Sequence, residues 1–153
     1  MPSENIDTRV IPYLTVKGAD QALAFYRDVF DAQEIYRLVD PNDGRIGHAE
    51  FEIGQSRIMI ADEYPDFGAE SPVSIGGTPV KLVLNVADVD GVFALAVEKG
   101  ASALRAVRDE FHGHRTGQVI DPFGHIWFIQ TRVGSMSPAE MQAGWDASSA
   151  QSG

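Results

Sequence analysis

Residues 10–32 read VIPYLTVKGADQALAFYRDVFDA, and residues 80–101 read VKLVLNVADVDGVFALAVEKGA. The two stretches follow one pattern about 70 residues apart, and that repeat decides the fold. Val10–Val16 and Val80–Val86 are rich in β-branched and aromatic residues, as strands are. A polar break follows each, and then apolar residues step by three and four. These are Ala19, Ala22, Leu23, Tyr26, Val29 and Phe30 in the first copy, and Val89, Val92, Phe93, Ala96 and Val97 in the second. Such spacing gathers apolar side chains on one face of a helix. Asp31-Ala32 and Gly100-Ala101 stop the helices, with Gly100 suited to a left-handed cap.

Further strands are predicted at 34–39, 48–53 and 56–62 after the first helix, and at 102–107, 117–121 and 125–131 after the second. Pro41-Asn42-Asp43-Gly44, Gly54-Gln55 and Asp121-Pro122-Phe123-Gly124 supply the turns. The chain therefore divides into a first βαβββ module at 8–62, a Pro- and Gly-rich linker at 63–79, a second βαβββ module at 80–132, and a tail at 133–153. This is an α+β organisation. The linker is long enough to fold over a site or simply to connect. In the tail, Ser137-Pro138-Ala139-Glu140 combines an N-cap, a first-turn proline and a capping-box Glu, which predicts one short helix.

The chain of 153 residues carries 22 Asp plus Glu against 12 Lys plus Arg, a net charge of -10. So few basic residues argue against nucleic-acid binding, which draws its affinity from clustered Lys and Arg. The absence of cysteine removes disulfides, thiolate metal sites and a cysteine nucleophile. The start, MPSENIDTR, is polar where a signal peptide is apolar, and no apolar run approaches the roughly 20 residues of a membrane span. A soluble, cytoplasmic protein without membrane or nucleic-acid partners is expected. No G-x-S-x-G elbow, phosphate-binding loop or dinucleotide fingerprint is present. The acidity serves solubility, or attracts a cationic ligand.

The words PYLTVKGADQALAFYRDVFDA, GRIGHAEFEIGQSRIMIAD, GGTPVKLVLNVADVDGVFALAVEKGA and DPFGHIWFIQT cover roughly residues 9 to 132. Together they resemble the vicinal oxygen chelate superfamily, which holds glyoxalase I, extradiol dioxygenases and the fosfomycin- and bleomycin-resistance proteins. HAEFEIG and RTGQVIDPFGHIW are most similar to its PhnB-like subgroup. The resemblance implies two tandem βαβββ modules whose mixed sheets curl into cup-shaped clefts, and a homodimer. It also implies four metal ligands, one from the first and one from the last strand of each module. Those places fall on Ile11, Ile60, Lys81 and Phe128. Ile and Phe lack a donor atom and a Lys ammonium repels the ion, so no metal cofactor is expected there.

Strand alternation then nominates residues that line the clefts, Tyr13, His48, Glu50 and Ile60 in the first module and Lys81 and Phe128 in the second, and Arg115 joins them because HRTG resembles the family's recurrent DRTG-like word. His48 and Glu50, two apart on one strand, are a base with its partner, two ligands of a relocated divalent-metal site completed by His112 or His114, or a plain hydrogen-bonded pair. Arg115, in the word HRTG, either fixes a carboxylate or phosphate of a ligand or pairs with Asp121 or Glu110. Lys81 is a desolvated base or nucleophile, or an ion-pair partner of Asp62 or Glu50. His125 is read as a structural hydrogen-bonder, Trp127 as core, and Trp145 as a tail residue that packs on a partner subunit. Two functions follow. One is a metal-free small-molecule binder that sequesters a cationic antibiotic; the alternative is a metal-dependent lyase, isomerase or oxygenase built around His48 and Glu50.

Overall fold

The computed structural model describes residues 6–151. The chain separates into two compact units, divided between Ile75 and Gly76. The first holds β1 (Tyr13–Val16), α1 (Ala19–Phe30), β2 (Gln33–Val39), β3 (Ile46–Ile53), β4 (Ser56–Asp62), a 3-10 turn (Pro65–Phe67) and α2 (Pro72–Ile75). The second holds β5 (Lys81–Asn85), α3 (Val89–Glu98), β6 (Ser102–Asp109), β7 (His114–Ile120), β8 (Ile126–Arg132) and α4 (Pro138–Gln151). In each unit the first strand runs parallel to the last, and the other neighbours are antiparallel.

Two mixed sheets with helices are what the repeat requires, but the curled sheets with cup-shaped clefts are not found. Each sheet is open, ordered β1-β4-β3-β2 or β5-β8-β7-β6. The crossover through the helix lays the first strand outside the last, and the remaining strands follow by antiparallel turns. The ladder therefore ends on both sides, at β1 and β2 or at β5 and β6, instead of closing.

One face of each sheet is core. Beneath α1 lie Leu14, Val16, Ala49, Phe51, Ile58 and Ile60, all buried, with Tyr26 stacked on Phe51 at a centroid distance of 5.5 Å. In the second unit Trp127, Val119 and Ile129 take the same role. Gly117 is a glycine for space: a Cβ there would stand 2.8 Å from the Phe93 ring of α3 and 3.0 Å from Val107. The buried carboxylate of Asp121 accepts from the amides of Phe123 and His125 and from the Trp127 indole, so the DPFG turn is tied to the core.

Several element ends differ from the sequence reading. β3 starts at Ile46 because Asp62 accepts the Ile46 amide, and β7 starts at His114, where Glu110 N–H bonds the His114 carbonyl. Residues 63–75 are folded: Tyr64 bridges Ala69, and the Glu63 carboxylate accepts from the Ser71 amide and the Ser74 hydroxyl. The Ser137–Glu140 capping box forms as expected, but α4 runs 14 residues instead of making a short helix.

Gly18 offers α1 no side-chain cap, so the cap comes from β4. Asp62 Oδ1 accepts from the amides of Gly18 and Ala19 at 2.9 and 2.8 Å, while Oδ2 holds Ile46 at 2.7 Å. One carboxylate thus joins helix, β3 and β4. Asp62→Ala leaves these amides without acceptors in a buried setting, and a loss of roughly 2–4 kcal/mol in urea unfolding is expected.

Candidate functional site

The face of the first sheet opposite α1 carries the predicted polar residues. Register places Tyr13, Met59, Glu50 and Tyr36 in one row across all four strands. Period-two alternation adds His48, Glu52 and Arg57 to the same face. Tyr13 Oη lies 2.7 Å from His48 Nδ1, and His48 Nε2 lies 2.9 Å from Glu50 Oε2. Tyr36 donates to the same Oε2 at 2.7 Å, and Arg57 donates to Glu50 Oε1 at 2.7 Å and to Glu52 at 2.9 Å.

Bonds from His48, then Tyr36, then Arg57 lower the Glu50 carboxyl to about 2, so it is ionised at any ordinary pH. Donating its hydroxyl proton to Glu50 raises the Tyr36 phenol above its usual value. Burial first, and the Glu50 charge second, raise Tyr13 as well. The network therefore favours neutral phenols around a fixed anion. A carboxylate accepts only, so the atom facing Glu50 on His48 carries the proton. In the neutral ring Nδ1 is then bare, and the Tyr13 hydroxyl donates to it.

Tyr13, His48 and Glu50 are thus brought together, whereas Ile60 lies on the other face, wholly buried against the core. The expected alignment is one residue off in β4: Met59, not Ile60, stands beside Tyr13. Tyr36 and Arg57 were not nominated from the sequence. Alternation within β2 and β4 is the signal that would have raised them, once the register is known.

In the second sheet the corresponding row is Val83, Phe128, Gln118 and Arg105. Between this face and α4 lies a groove of about 600 Å³, walled by Phe111, Phe128 and Trp145, with Arg105, Arg108 and Glu110 among its polar groups. Arg105 stands 5.5 Å from the Phe128 ring centroid and donates to Thr116 at 2.8 Å. Glu110 pairs with Arg105 at 3.1 Å and Arg108 at 2.8 Å. Trp145 packs on Phe111 of its own chain, centroids 6.3 Å apart. Gly144 permits this approach, since a Cβ there would fall 2.6 Å from the Phe111 ring.

Of the remaining second-module candidates His112 belongs to the groove lining, beside Phe111, whereas Arg115, Lys81 and His114 do not. Arg115 pairs with neither Asp121 nor Glu110; it grips Asp90 of α3 through Nε and Nη2 at 2.9 and 3.0 Å, and Asp109 at 3.1 Å. Lys81 is exposed at the start of β5, while Glu50 and Asp62 spend their oxygens on the partners given above. His112 faces His114, with their Nδ1 atoms 3.1 Å apart. No group of three or more His, Asp or Glu side chains able to hold a metal ion occurs among the described residues. The places expected for ligands carry Ile11, Ile60, Lys81 and Phe128, so the donor chemistry of a divalent site is not assembled there.

With this fold and these two faces in view, the chain belongs to the Glyoxalase/Bleomycin resistance protein/Dioxygenase superfamily, whose profile matches residues 8–129. It is 39% identical over 142 residues to the uncharacterized protein Rv0887c of Mycobacterium tuberculosis, covering 91% of this chain and 83% of that one. Protein PA1353 from Pseudomonas aeruginosa shares the fold with a TM-score of 0.69 at 22% identity, covering 82% of this chain and 98% of the other. TioX from a Micromonospora species is similar at a TM-score of 0.60 and 25% identity, covering 85% and 100%. Among the described residues, no helix is long and apolar enough to cross a membrane.

The low value at Glu50, shared by Glu63 at about 2, sets a pH dependence. A carboxyl depressed in the folded state adds stability that is full above the unfolded value near 4.5 and is lost as pH falls towards 2. In urea unfolding at stepped pH, Glu50→Gln is expected to flatten the decline between pH 5 and pH 2, leaving the share due to Glu63.

Proposed function

We propose that the chain is a non-catalytic small-molecule binder of the glyoxalase/bleomycin-resistance type, nearest to the PhnB-like subgroup, and that it sequesters an aromatic compound such as an antibiotic in the cytoplasm. The observation that carries this reading is the groove of the second module, with three aromatic walls and a few polar groups. Small-molecule sites have this composition. Planar ligands gain stacking area on Phe111, Phe128 and Trp145, and the guanidinium of Arg108, more than half exposed, offers donors to an acidic or carbonyl group at the rim. Locally two guanidiniums face one carboxylate, so the cation preference expected from the net charge of -10 does not come from this groove. The superfamily resemblance adds the proposal that two copies pair, which light scattering reads as a mass of twice 16.6 kDa.

Trp145 is 60% exposed in the groove wall and Trp127 is 2% exposed in the core, so the two indoles separate ligand binding from unfolding. A panel of glycopeptide and aromatic antibiotics, titrated by calorimetry and Trp fluorescence, is expected to yield a ligand that changes Trp145 emission. Trp145→Phe abolishes that optical response, and Arg108→Gln weakens binding about tenfold if the ligand is acidic. Silence across the panel, together with no protection of cells expressing the protein, counts against sequestration.

A further inference from the structure

Both phenols on the open face of the first sheet have their protons committed inward. Tyr36 donates to Glu50 at 2.7 Å, and Tyr13 donates to His48 Nδ1 at 2.7 Å because Glu50 holds the ring's other nitrogen as the protonated one. A tyrosine hydroxyl ordinarily offers one donor together with its lone pairs. Here only lone pairs remain for a ligand. The rings themselves are accessible, Tyr13 being 51% and Tyr36 41% exposed, and they flank His48 at centroid distances of 5.4 and 5.8 Å. Glu50 and Glu52 outweigh Arg57 by one charge, so the patch is anionic while His48 is neutral.

We propose that this face is a binding site for cations that carry N–H donors, aromatic ammonium groups in particular, held by the Tyr13 and Tyr36 oxygens and ring faces. Cation–π attraction alone accepts any organic cation, whereas two oxygens limited to accepting select those with an N–H to give. A carboxylate meets lone pairs and a negative patch, and is rejected. The site lies wholly within the first module and does not depend on the groove of the second, so either assignment stands or fails without the other.

The selectivity rests most on the oxygen of Tyr13, the more exposed of the two phenols. The titratable and charged groups facing this point are Tyr13 on β1, Tyr36 on β2, His48, Glu50 and Glu52 on β3, and Arg57 on β4.

Calorimetric titration with benzylammonium, benzyltrimethylammonium and benzoate at pH 7.5 tests this. At pH 7.5 benzylammonium is expected to bind about tenfold more tightly than benzyltrimethylammonium, which has the same ring and charge but no N–H, and benzoate more weakly still. Tyr13→Phe, with an unchanged thermal melt, removes the preference. Should that chain fail to fold, Tyr36→Phe must reduce it instead. Equal affinity of the two cations, no binding of benzylammonium, or a preference that survives in the folded variant overturns the proposal.

Discussion

Glu50 stands near the middle of the first sheet and is bonded from three sides: by His48 within its own strand, by Tyr36 from β2, and by Arg57 from β4. Through His48 the chain of bonds reaches Tyr13 on β1, so one carboxylate organises polar groups on all four strands. An ion this well supplied with donors does not need a metal or a bulk counter-ion to be stable below the surface. Its permanent charge fixes which nitrogen of His48 carries the proton, and that in turn fixes the direction of the Tyr13 hydroxyl. The chemistry of the face is set by this order of dependence, with Tyr13 last and most exposed.

The second module uses the same register for a different purpose. Where the first sheet has Tyr13, Met59, Glu50 and Tyr36 in a row, the second has Val83, Phe128, Gln118 and Arg105. Its charged groups pair among themselves, as Glu110 does with Arg105 and Arg108, and aromatic rings form the wall. A duplicated architecture has thus been fitted with one polar face and one apolar groove. The acidic excess of the chain finds a local counterpart in the first of these and not in the second.

The repeat, helices α1 and α3 and most strands are legible in the sequence because they rest on local periodicity, and His48 with Glu50 is legible because residues two apart on a strand share a face. What crosses between strands is not. Tyr36 and Arg57 meet Glu50 only through the registers of β2 and β4, and a one-residue shift in β4 exchanges Ile60 for Met59 beside Tyr13. Long-range polar pairing was equally hidden. Arg115 takes Asp90 from a helix 25 residues away, and Asp62 caps a helix whose own N-terminus offers only glycine. The curled cup came from the resemblance, and the strand order replaces it with two open ladders.

The central claim is that Glu50 imposes one tautomer on His48 and thereby makes Tyr13 an acceptor alone towards solvent. Nitrogen-15 NMR of the imidazole rings at pH 7.5, with His48 assigned by comparison with His48→Gln, measures this directly. The account predicts a protonated Nε2 and a bare, hydrogen-bonded Nδ1. A proton on Nδ1 with Nε2 bare, or an even mixture of the two tautomers, would contradict it.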